Sequence, residues 1–541
     1  MARNDRKGFP RAFFIIALAF ALSSSYYSNG QDAAEPSTNS NIVESTSSRS
    51  KSAKPTSKST RSSAEIFSEY QEKLENLAVK CDKRGMALEA KVTRSLVYRD
   101  KPYFFTVHLL PTETREKKLP DDATKDQQNW YSALERLRTQ YANETYSVAE
   151  RLGNQKRGFD VVACVLQTLY IDPDHKEARR FFGYEERDGK WRSQWEMRKL
   201  ESGMIDDPQF GWLPVAHIEN YRKGQRYYHN QWISAEEESK KLLSSASGWK
   251  VETEHFSILS RVSLERGVEI GRFLEAYYQA WRQLFYPFIA NENQWVARLR
   301  TSNPIVAKRH RVILYRNRSE YLRELRKHDE NAGKSIGGYY PDLRCIFVYE
   351  PDPDNVEDCF NLLPTLAHEA THQLFTECNA TSASRNQVKF SDLATSGNFW
   401  VAEGVAISAE TFHCDFKNCK AEIGGYENVY RIEDALDALF EDDDYIPMRK
   451  FAGLSRNEFQ SYKDLSLLYS QAAGTAFFLM FYKDGKYSGA YVKYLYELYQ
   501  GTDSPDSLER LTGKSFEELD EEYKTFMNEI YKKSRQEARE R

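Results

Sequence analysis

Two histidines and a glutamate in the stretch Leu366–His372 form the motif whose chemistry is easiest to define. His368, Glu369 and His372 make a His-Glu-x-x-His pattern. Residues four apart lie above one another on a helix, so His368 and His372 can direct two imidazole nitrogens at one metal ion. Glu369 lies beside them, where its carboxylate can take a proton from metal-bound water. The alternative is a helix with two surface histidines and no metal.

A zinc hydrolase site needs a third protein ligand and one open position for water. Cys378 stands where the metzincin pattern has its third His, and Phe375 stands where that pattern has Gly. The metzincin arrangement is therefore excluded. A glutamate on a second helix is the other source of a ligand, and the segment Trp400-Val-Ala-Glu403-Gly supplies one.

Two segments carry a resemblance to a known family. "LAHEATHQLF" and "FWVAEGVAISAE" resemble the peptidase MA-like gluzincins, in particular their exported, uncharacterised branch. The resemblance covers residues 249–535, and "YSQAAGTAFFLMFYKDGKYSGAYVKYL" is similar to the helical C-terminal part of such proteins. It implies a zincin-like catalytic domain, zinc-dependent hydrolysis of a peptide or protein substrate, and Glu403 as the third ligand of one Zn²⁺ ion.

The expected reaction follows from these donors. Two neutral imidazoles and one carboxylate leave a positively charged zinc site, which lowers the pKa of a bound water towards ~7. Glu369 can accept that proton and deliver it to the leaving amine. Gluzincins often direct a downstream Tyr or His at the developing oxyanion, and Tyr469 is the candidate here. The alternative is that Tyr469 is a packed aromatic.

Two further residues near Glu403 have two interpretations each. Glu410 lies two helical turns after Glu403, so it can share that face and orient a ligand histidine, or it is a solvated carboxylate. Gly404 either lets the backbone approach the active-site helix closely or is a small packing residue.

The remainder of the catalytic region, residues 247–535, must position these side chains. Val251–Ser260 alternates like one strand, and Ser319 is predicted to cap a helix. An apolar strand runs through Ile346–Val348 before the active-site helix, and the resemblance implies an edge there for an extended peptide. Pro364 is tolerable only in a first helical turn, so the helix should begin near Asn361–Leu363.

Residues 64–180 are predicted to form an α-rich N-terminal region, because Ile66, Tyr70 and Leu74 recur at helical spacing. We expect this region to contact a protein partner.

Residues 181–246 are predicted to contain tandem Trp-bearing repeats. Each unit is predicted to form a turn, a strand and a helix that is capped by Ser. The tryptophans are expected to anchor the cores of small β-helix repeats, with carbohydrate platforms as the alternative. The same four positions recur at one constant offset: Gly183, Trp191, Ser193 and Glu196, then Gly224, Trp232, Ser234 and Glu237.

The N-terminus has the layout of a targeting segment. Basic residues among the first eleven precede the apolar run Ala12–Leu22, which is short for a membrane span. Residues 1–25 are predicted to be a signal peptide, with a retained anchor as the alternative. Residues 26–63 are rich in Ser and Thr and are predicted to be a disordered linker. No later stretch could cross a membrane, so we expect no stable membrane insertion after signal cleavage, and a secreted, periplasmic or cell-envelope location.

The charge balance and the number of cysteines bear on the partners and on the disulfides of the protein. The chain has 76 basic and 80 acidic residues, which argues against a nucleic-acid partner. Its 7 cysteines leave at least one thiol unpaired within the chain. Cys414 and Cys419 are the predicted disulfide. As zinc ligands together with His413 they would lack a fourth donor.

These observations predict an α+β fold in which a zincin-like domain follows an α-rich region. Its small mixed sheet would carry active-site helices and a helical C-terminal part. The predicted function is that of a secreted zinc metallopeptidase. The competing hypothesis is a non-enzymatic, envelope-associated binding or scaffold protein with a vestigial or structural zinc site.

Overall fold

The computed structural model describes residues 61–98, 101–115, 119–244, 247–301, 308–328, 335–354, 360–379, 393–426 and 430–540. They form an α+β fold in which helices predominate and the sheets are small. The predicted signal peptide and almost all of the predicted linker lie outside these residues, as does Cys359. No helix among the described residues is long and apolar enough to span a membrane.

The N-terminal region is helical, as its periodicity predicts. Its first helix begins with a capping box between Ser62 and Glu65, and it buries Ile66, Tyr70 and Leu74 on one face. One strand, β1 (Phe104–His108), interrupts the helices. The helices are α1 (Ser63–Lys83), α2 (Ala87–Ser95), α3 (Lys125–Asn154), α4 (Gly158–Ile171) and α5 (Lys176–Phe181).

Three antiparallel hairpins follow, and each is followed by a short helix. The predicted Trp-bearing units fall in the first and third of them, and the middle hairpin was not predicted. Trp191 is buried, as expected of a core anchor, but Trp232 is exposed, so the prediction that it anchors a core is wrong. The elements are β2 (Tyr184–Arg187), β3 (Lys190–Ser193), α6 (Gln194–Glu201), β4 (Met204–Asp207), β5 (Gly211–Pro214), α7 (Ile218–Arg222), β6 (Gln225–Tyr228), β7 (Gln231–Ser234) and α8 (Ala235–Ser244).

A mixed five-stranded sheet with the order β11-β12-β10-β9-β8 carries the next part of the chain. Strands β9, β10 and β12 are parallel, whereas β8 and β11 run antiparallel to their neighbours. The elements are β8 (Trp249–Glu252), β9 (Phe256–Ser260), α9 (Leu264–Leu284), α10 (Glu292–Ala297), β10 (His310–Tyr315), α11 (Arg318–Leu325), β11 (Gly337–Tyr340) and β12 (Cys345–Tyr349).

Two predictions for this sheet and one for the helix α11 are wrong. Val251–Ser260 is two strands, because Thr253 turns the chain: its hydroxyl accepts from the Phe256 N–H at 3.0 Å. The cap of α11 is Asn317, not Ser319, because the Asn317 side chain accepts from Glu320 N. The strand through Ile346–Val348 is not an edge, because β11 covers it.

The C-terminal part is almost entirely helical. α12 begins at Leu362, within the predicted range, with Pro364 in its first turn. The elements are α12 (Leu362–Asn379), α13 (Phe399–Ala409), β13 (His413–Asp415), β14 (Lys420–Gly424), α14 (Tyr430–Phe440), α15 (Met448–Ala452), α16 (Arg456–Gln460), α17 (Leu465–Phe481), α18 (Ser488–Gln500), α19 (Ser507–Thr512) and α20 (Phe516–Glu540).

A second sheet, β1-β14-β13, joins the two ends of the chain. β1 pairs antiparallel with β14 from Phe104 opposite Gly424 to His108 opposite Lys420. One hydrophobic cluster runs from α1 to α20 through this junction. The N-terminal helices therefore share a sheet and a core with the part of the chain that carries the metal-site motif.

The predicted Cys414–Cys419 disulfide is wrong, because both thiols are free. Cys414 lies opposite Ala421 in the β13–β14 ladder. Cys419 lies in the connecting turn with a φ of 49°. The two cysteines therefore do not face each other across the hairpin.

Candidate metal centre

Helix α12 holds the motif histidines at the margin of the hydrophobic core. Leu366, Ala370 and Leu374 are fully buried on its core face. His368 and His372 lie on another face, with 14% and 7% of their side chains exposed. The core contacts fix the rotation of the helix, so both imidazoles are presented on the same side.

Helix α13 brings Glu403 to the histidines. Its first turn is anchored by Asn398, which has a φ of 70° and donates its side-chain amide to Asp503 at 2.8 Å. Gly404 lets α13 approach α17, since a Cβ there would lie 2.8 Å from the Ala472 carbonyl oxygen. Gly404 therefore allows a close approach of two helices, as predicted, but the helix it approaches is α17 and not α12.

The three predicted ligands converge on one point. One ligand atom from each of His368, His372 and Glu403 lies within 4.8 Å of the other two. The two Nε2 atoms are 3.2 Å apart, and His368 Nε2 is 3.5 Å from Glu403 Oε2. Two imidazole nitrogens and a carboxylate oxygen at this separation can hold a metal ion.

Glu410 orients the first ligand. Its Oε1 lies 2.7 Å from Nδ1 of His368. A carboxylate in this position accepts the Nδ1 proton, which fixes the tautomer and leaves Nε2 as the metal donor. Glu410 therefore contacts His368 in the way its spacing from Glu403 predicts.

The electrostatic field of the cluster favours a cation. Burial acts to lower the pKa of His368, but Glu403 and Glu410 outweigh burial and raise it well above 6.5. Burial acts to raise the pKa of Glu403, but His372 and His368 outweigh burial and hold it well below 4.5. Carboxylates that keep a proton on His368 would equally attract a metal ion in its place.

Glu369 faces the open side of the mixed sheet. Its Oε2 accepts a hydrogen bond of 2.7 Å from the backbone N–H of Tyr339. Tyr339 lies in β11, which has a neighbour on one side only among the described strands. Gly337, in the same strand, permits close packing on α12, because a Cβ there would lie 2.8 Å from the Thr365 methyl group. The candidate base thus lies between the metal ligands and a sheet edge.

The carboxylates of the site act electrostatically on Tyr469. The Glu403 carboxylate is the largest cause of a pKa well above 10 for Tyr469, followed by burial and the Glu369 carboxylate. The phenol is therefore protonated at neutral pH and can donate a hydrogen bond. The Arg431 guanidinium lies 5.0 Å from the ring centroid of Tyr469.

Arg456 is a residue near the site that the sequence did not reveal. Burial lowers the pKa of Arg456, and the Glu403 carboxylate opposes that shift, so the charge of Glu403 acts on the guanidinium. Its short helix, α16, carries no recognisable motif. The only signal in the sequence is a basic residue shortly before Tyr469.

A buried network supports the far end of α12. Glu377 Oε2 lies 2.9 Å from His310 Nδ1 and 3.0 Å from Arg344. Its other oxygen accepts from the Tyr339 hydroxyl and from Gln373, each at 3.2 Å. Tyr339 therefore contacts Glu369 through its backbone and Glu377 through its side chain.

Comparison with protein-family models and with curated proteins gives no match.

The structure thus brings together the three predicted metal ligands, His368, His372 and Glu403. Glu369 follows His368 on α12, and the Glu403 and Glu369 carboxylates act electrostatically on Tyr469. Tyr339 and Glu377 were not predicted as parts of the site. An aromatic residue in a short strand and a glutamate at a helix end have no spacing that would distinguish them.

Proposed function

We propose that the chain is an exported zinc metallopeptidase of the gluzincin type, with a zincin-like catalytic domain. The main support for this proposal is the convergence of His368, His372 and Glu403. Glu369 lies between the two histidines on α12. Residues 249–535, which resemble the peptidase MA-like family, include all of these positions.

The donor set fits one Zn²⁺ ion. Imidazole nitrogen and carboxylate oxygen are preferred zinc ligands, and three protein ligands leave a position open for catalysis. The Glu410 contact adds the carboxylate–histidine pairing that zinc ligands commonly have. Bound Zn²⁺ would supply Lewis-acid chemistry, which acidifies water and polarises a carbonyl group.

Glu369 and Tyr469 are the residues proposed to act on the substrate. Glu369 accepts a proton from the attacking water and delivers it to the leaving amine. Tyr469 donates its phenolic hydrogen bond to the negative charge that develops on the carbonyl oxygen. The raised pKa of Tyr469 supports this role, because a donor must keep its proton.

The substrate proposed is an extended peptide bound at β11. This strand has an open edge in the described sheet and lies next to Glu369. An extended chain that pairs with such an edge gains backbone hydrogen bonds that do not depend on its sequence. This strand takes the role first expected of the strand through Ile346–Val348.

A metal site in a binding or scaffold protein is the competing function. Removal of the metal with a chelator distinguishes the peptidase from the scaffold protein. We expect purified protein to cleave a peptide library, a chelator to abolish cleavage, and Zn²⁺ to restore it. A protein that loses its fold on chelation and never cleaves peptides has a structural metal site, and that result would overturn the proposal.

A further inference from the structure

The third hairpin of the Trp-bearing region, formed by β6 and β7, presents one of its faces to solvent. In the antiparallel register Tyr227 lies opposite Trp232, and Gln225 lies opposite Ser234. Opposite residues share a face, whereas adjacent residues along a strand point to different faces. All four of these residues are exposed, and Arg226, on the other face, is buried. The hairpin therefore packs on the protein with one face and leaves the face of Tyr227 and Trp232 open.

Three rings contact one another at this open face. The ring centroids of Tyr227 and Trp232 are 5.2 Å apart. The ring of His217, from the turn before α7, lies 4.6 Å from Tyr227 and 4.9 Å from Trp232. Tyr227 is 41% exposed and Trp232 is 37% exposed. These three rings are called the aromatic platform below. Because the rings support one another, a ligand would meet a preformed surface.

The equivalent tryptophan of the first hairpin has a structural role. Trp191 is buried, its indole N–H donates to Asp174 Oδ1 at 2.8 Å, and the Arg179 guanidinium lies 5.0 Å from its ring. Trp232 stands at the same position of the third unit but is open to solvent. Packing in a core therefore accounts for Trp191 and does not account for Trp232.

The open face of the hairpin carries no charged side chain. The one charged residue of β6 and β7 is Arg226, which lies on the other face. A polyanion such as a nucleic acid would find no cation on the open face to replace its counter-ions. The charge of this face therefore favours a neutral ligand.

The size of the aromatic platform favours a narrow ligand. The exposed parts of Tyr227 and Trp232 amount to on the order of 150 Å², since a whole aromatic side chain covers about 150–250 Å². A stable protein interface covers roughly 800 Å² on each partner. The platform is therefore too small to hold a globular protein on its own, whereas a narrow chain molecule can lie across it.

We propose that the aromatic platform binds a neutral glycan of β-1,4-linked pyranose rings. Equatorial substituents leave the C–H groups of such a ring on flat faces, and these C–H groups are attracted to the negative face of an aromatic ring. The Gln225 carboxamide belongs to the same face of the hairpin and offers a donor and an acceptor to sugar hydroxyls. The proposal does not depend on metal binding or on peptide hydrolysis.

Cellohexaose and chitohexaose are suitable probes, because both are neutral and β-1,4-linked and only the second carries N-acetyl groups. Titration calorimetry or saturation-transfer NMR on the purified full chain should give a Kd on the order of 1 mM or lower for at least one of them. Hexagalacturonate, a negatively charged hexasaccharide, should bind at least tenfold more weakly.

Four variants test where the glycan binds. Trp232→Ala and Tyr227→Ala each remove one ring of the platform, so each should weaken glycan binding at least tenfold. Trp232→Phe keeps an aromatic ring and should bind more tightly than Trp232→Ala. Phe416→Ala removes an exposed aromatic side chain from the turn between β13 and β14, and this matched control should bind like the wild type.

The proposal fails if neither hexasaccharide binds, or if Trp232→Ala binds as tightly as the wild type does. Two other occupants would also overturn it. One is a proline-rich peptide, seen as decaproline binding that Trp232→Ala abolishes while no glycan binds. The other is a second copy of the chain, seen in sedimentation as a dimer that Trp232→Ala dissociates while no glycan binds. Thermal melting of each variant establishes that a loss of binding is not a loss of fold.

Discussion

Glu410 contacts the candidate ligand His368, so its effect on a bound metal ion should be on affinity. Glu410→Ala removes the 2.7 Å contact with Nδ1 and frees the imidazole to rotate. We expect zinc affinity to fall about 10- to 100-fold, measured by competition with a chelating dye. Glu410→Gln keeps a hydrogen-bond acceptor at this position, so its zinc affinity should lie between those of Glu410→Ala and the wild type. Glu72→Ala, at an exposed position, is the control, and equal affinity in Glu410→Ala and wild type would contradict the assigned role.

Tyr469 is proposed to act after the substrate has bound. Tyr469→Phe removes the hydroxyl and keeps the ring that packs at 5.4 Å on Phe459. We expect kcat to fall about 100-fold with unchanged zinc content and little change in KM. Tyr462→Phe, at a nearby partly buried tyrosine, should keep full activity. A kcat within twofold of wild type would assign Tyr469 to packing.

At the residue scale the sequence predicted the three residues that could hold a metal ion, but not the residues around them. His368 and His372 follow from helical spacing, which is local and independent of the rest of the fold. Tyr339 reaches Glu369 through the tertiary packing of β11, and nothing in its local sequence encodes that position.

Glu369 lies on α12 and is held in position by the neighbouring strand β11, whose Tyr339 N–H donates to it. Glu377, on α12, fastens this pair of elements because it accepts from the Tyr339 hydroxyl on the strand, and Gln373, one turn earlier on the same helix, donates to the same carboxylate oxygen. Glu377→Gln should destabilise the fold by about 2 kcal/mol at neutral pH, since it weakens charge-assisted hydrogen bonds. Thermal melting measures this, and Tyr339→Phe, which loses one 3.2 Å bond, should cost about half as much.

The effect of Glu377→Gln should depend on pH. Burial acts to raise the pKa of Glu377, but His310 and Arg344 outweigh burial and hold it below 4.5. A carboxyl with a lowered folded-state pKa stabilises above its unfolded value and loses that stabilisation as pH falls through the folded value. The difference in melting temperature between wild type and Glu377→Gln should therefore shrink below pH 4.5. A difference that grows on acidification would contradict this sign.

The elements themselves were predicted where their periodicity is strong. The helices containing Leu74 and His368 fall where the pattern predicts. The turn at Thr253 was missed although the buried positions change phase across it, from odd-numbered Val251 to even-numbered Phe256 and Ile258. The edge strand was missed because Gly337–Tyr340 is short and begins with two glycines, which are uncommon in strands.

At the scale of the whole molecule, the N-terminal region is part of the structure that supports the site. β1 covers one side of β14, and β14 follows closely after the helix that carries Glu403. A fragment of residues 247–541 would expose that strand and the core surface that α4 covers. We expect the fragment to aggregate or to melt well below the intact chain, measured by size-exclusion chromatography and circular dichroism.

The control for this truncation is a chain that begins at Arg61. It retains the Ser62 cap of α1 and every described element, so it should melt like the full chain. A monomeric 247–541 fragment with the melting temperature and zinc content of the intact protein would contradict the proposed dependence. The sequence alone could not predict this dependence, because β1 and β14 are far apart in the chain and pair only in the fold.

The most direct test of the proposed activity is a comparison of wild type with Glu369→Gln for both metal content and peptide cleavage. Glu369 is on the motif helix but is not among the three ligands. We expect both proteins to bind one equivalent of Zn²⁺, and the variant to cleave about 10²- to 10⁴-fold more slowly. Undiminished cleavage by Glu369→Gln, or a wild-type protein that binds no metal, would contradict the proposal.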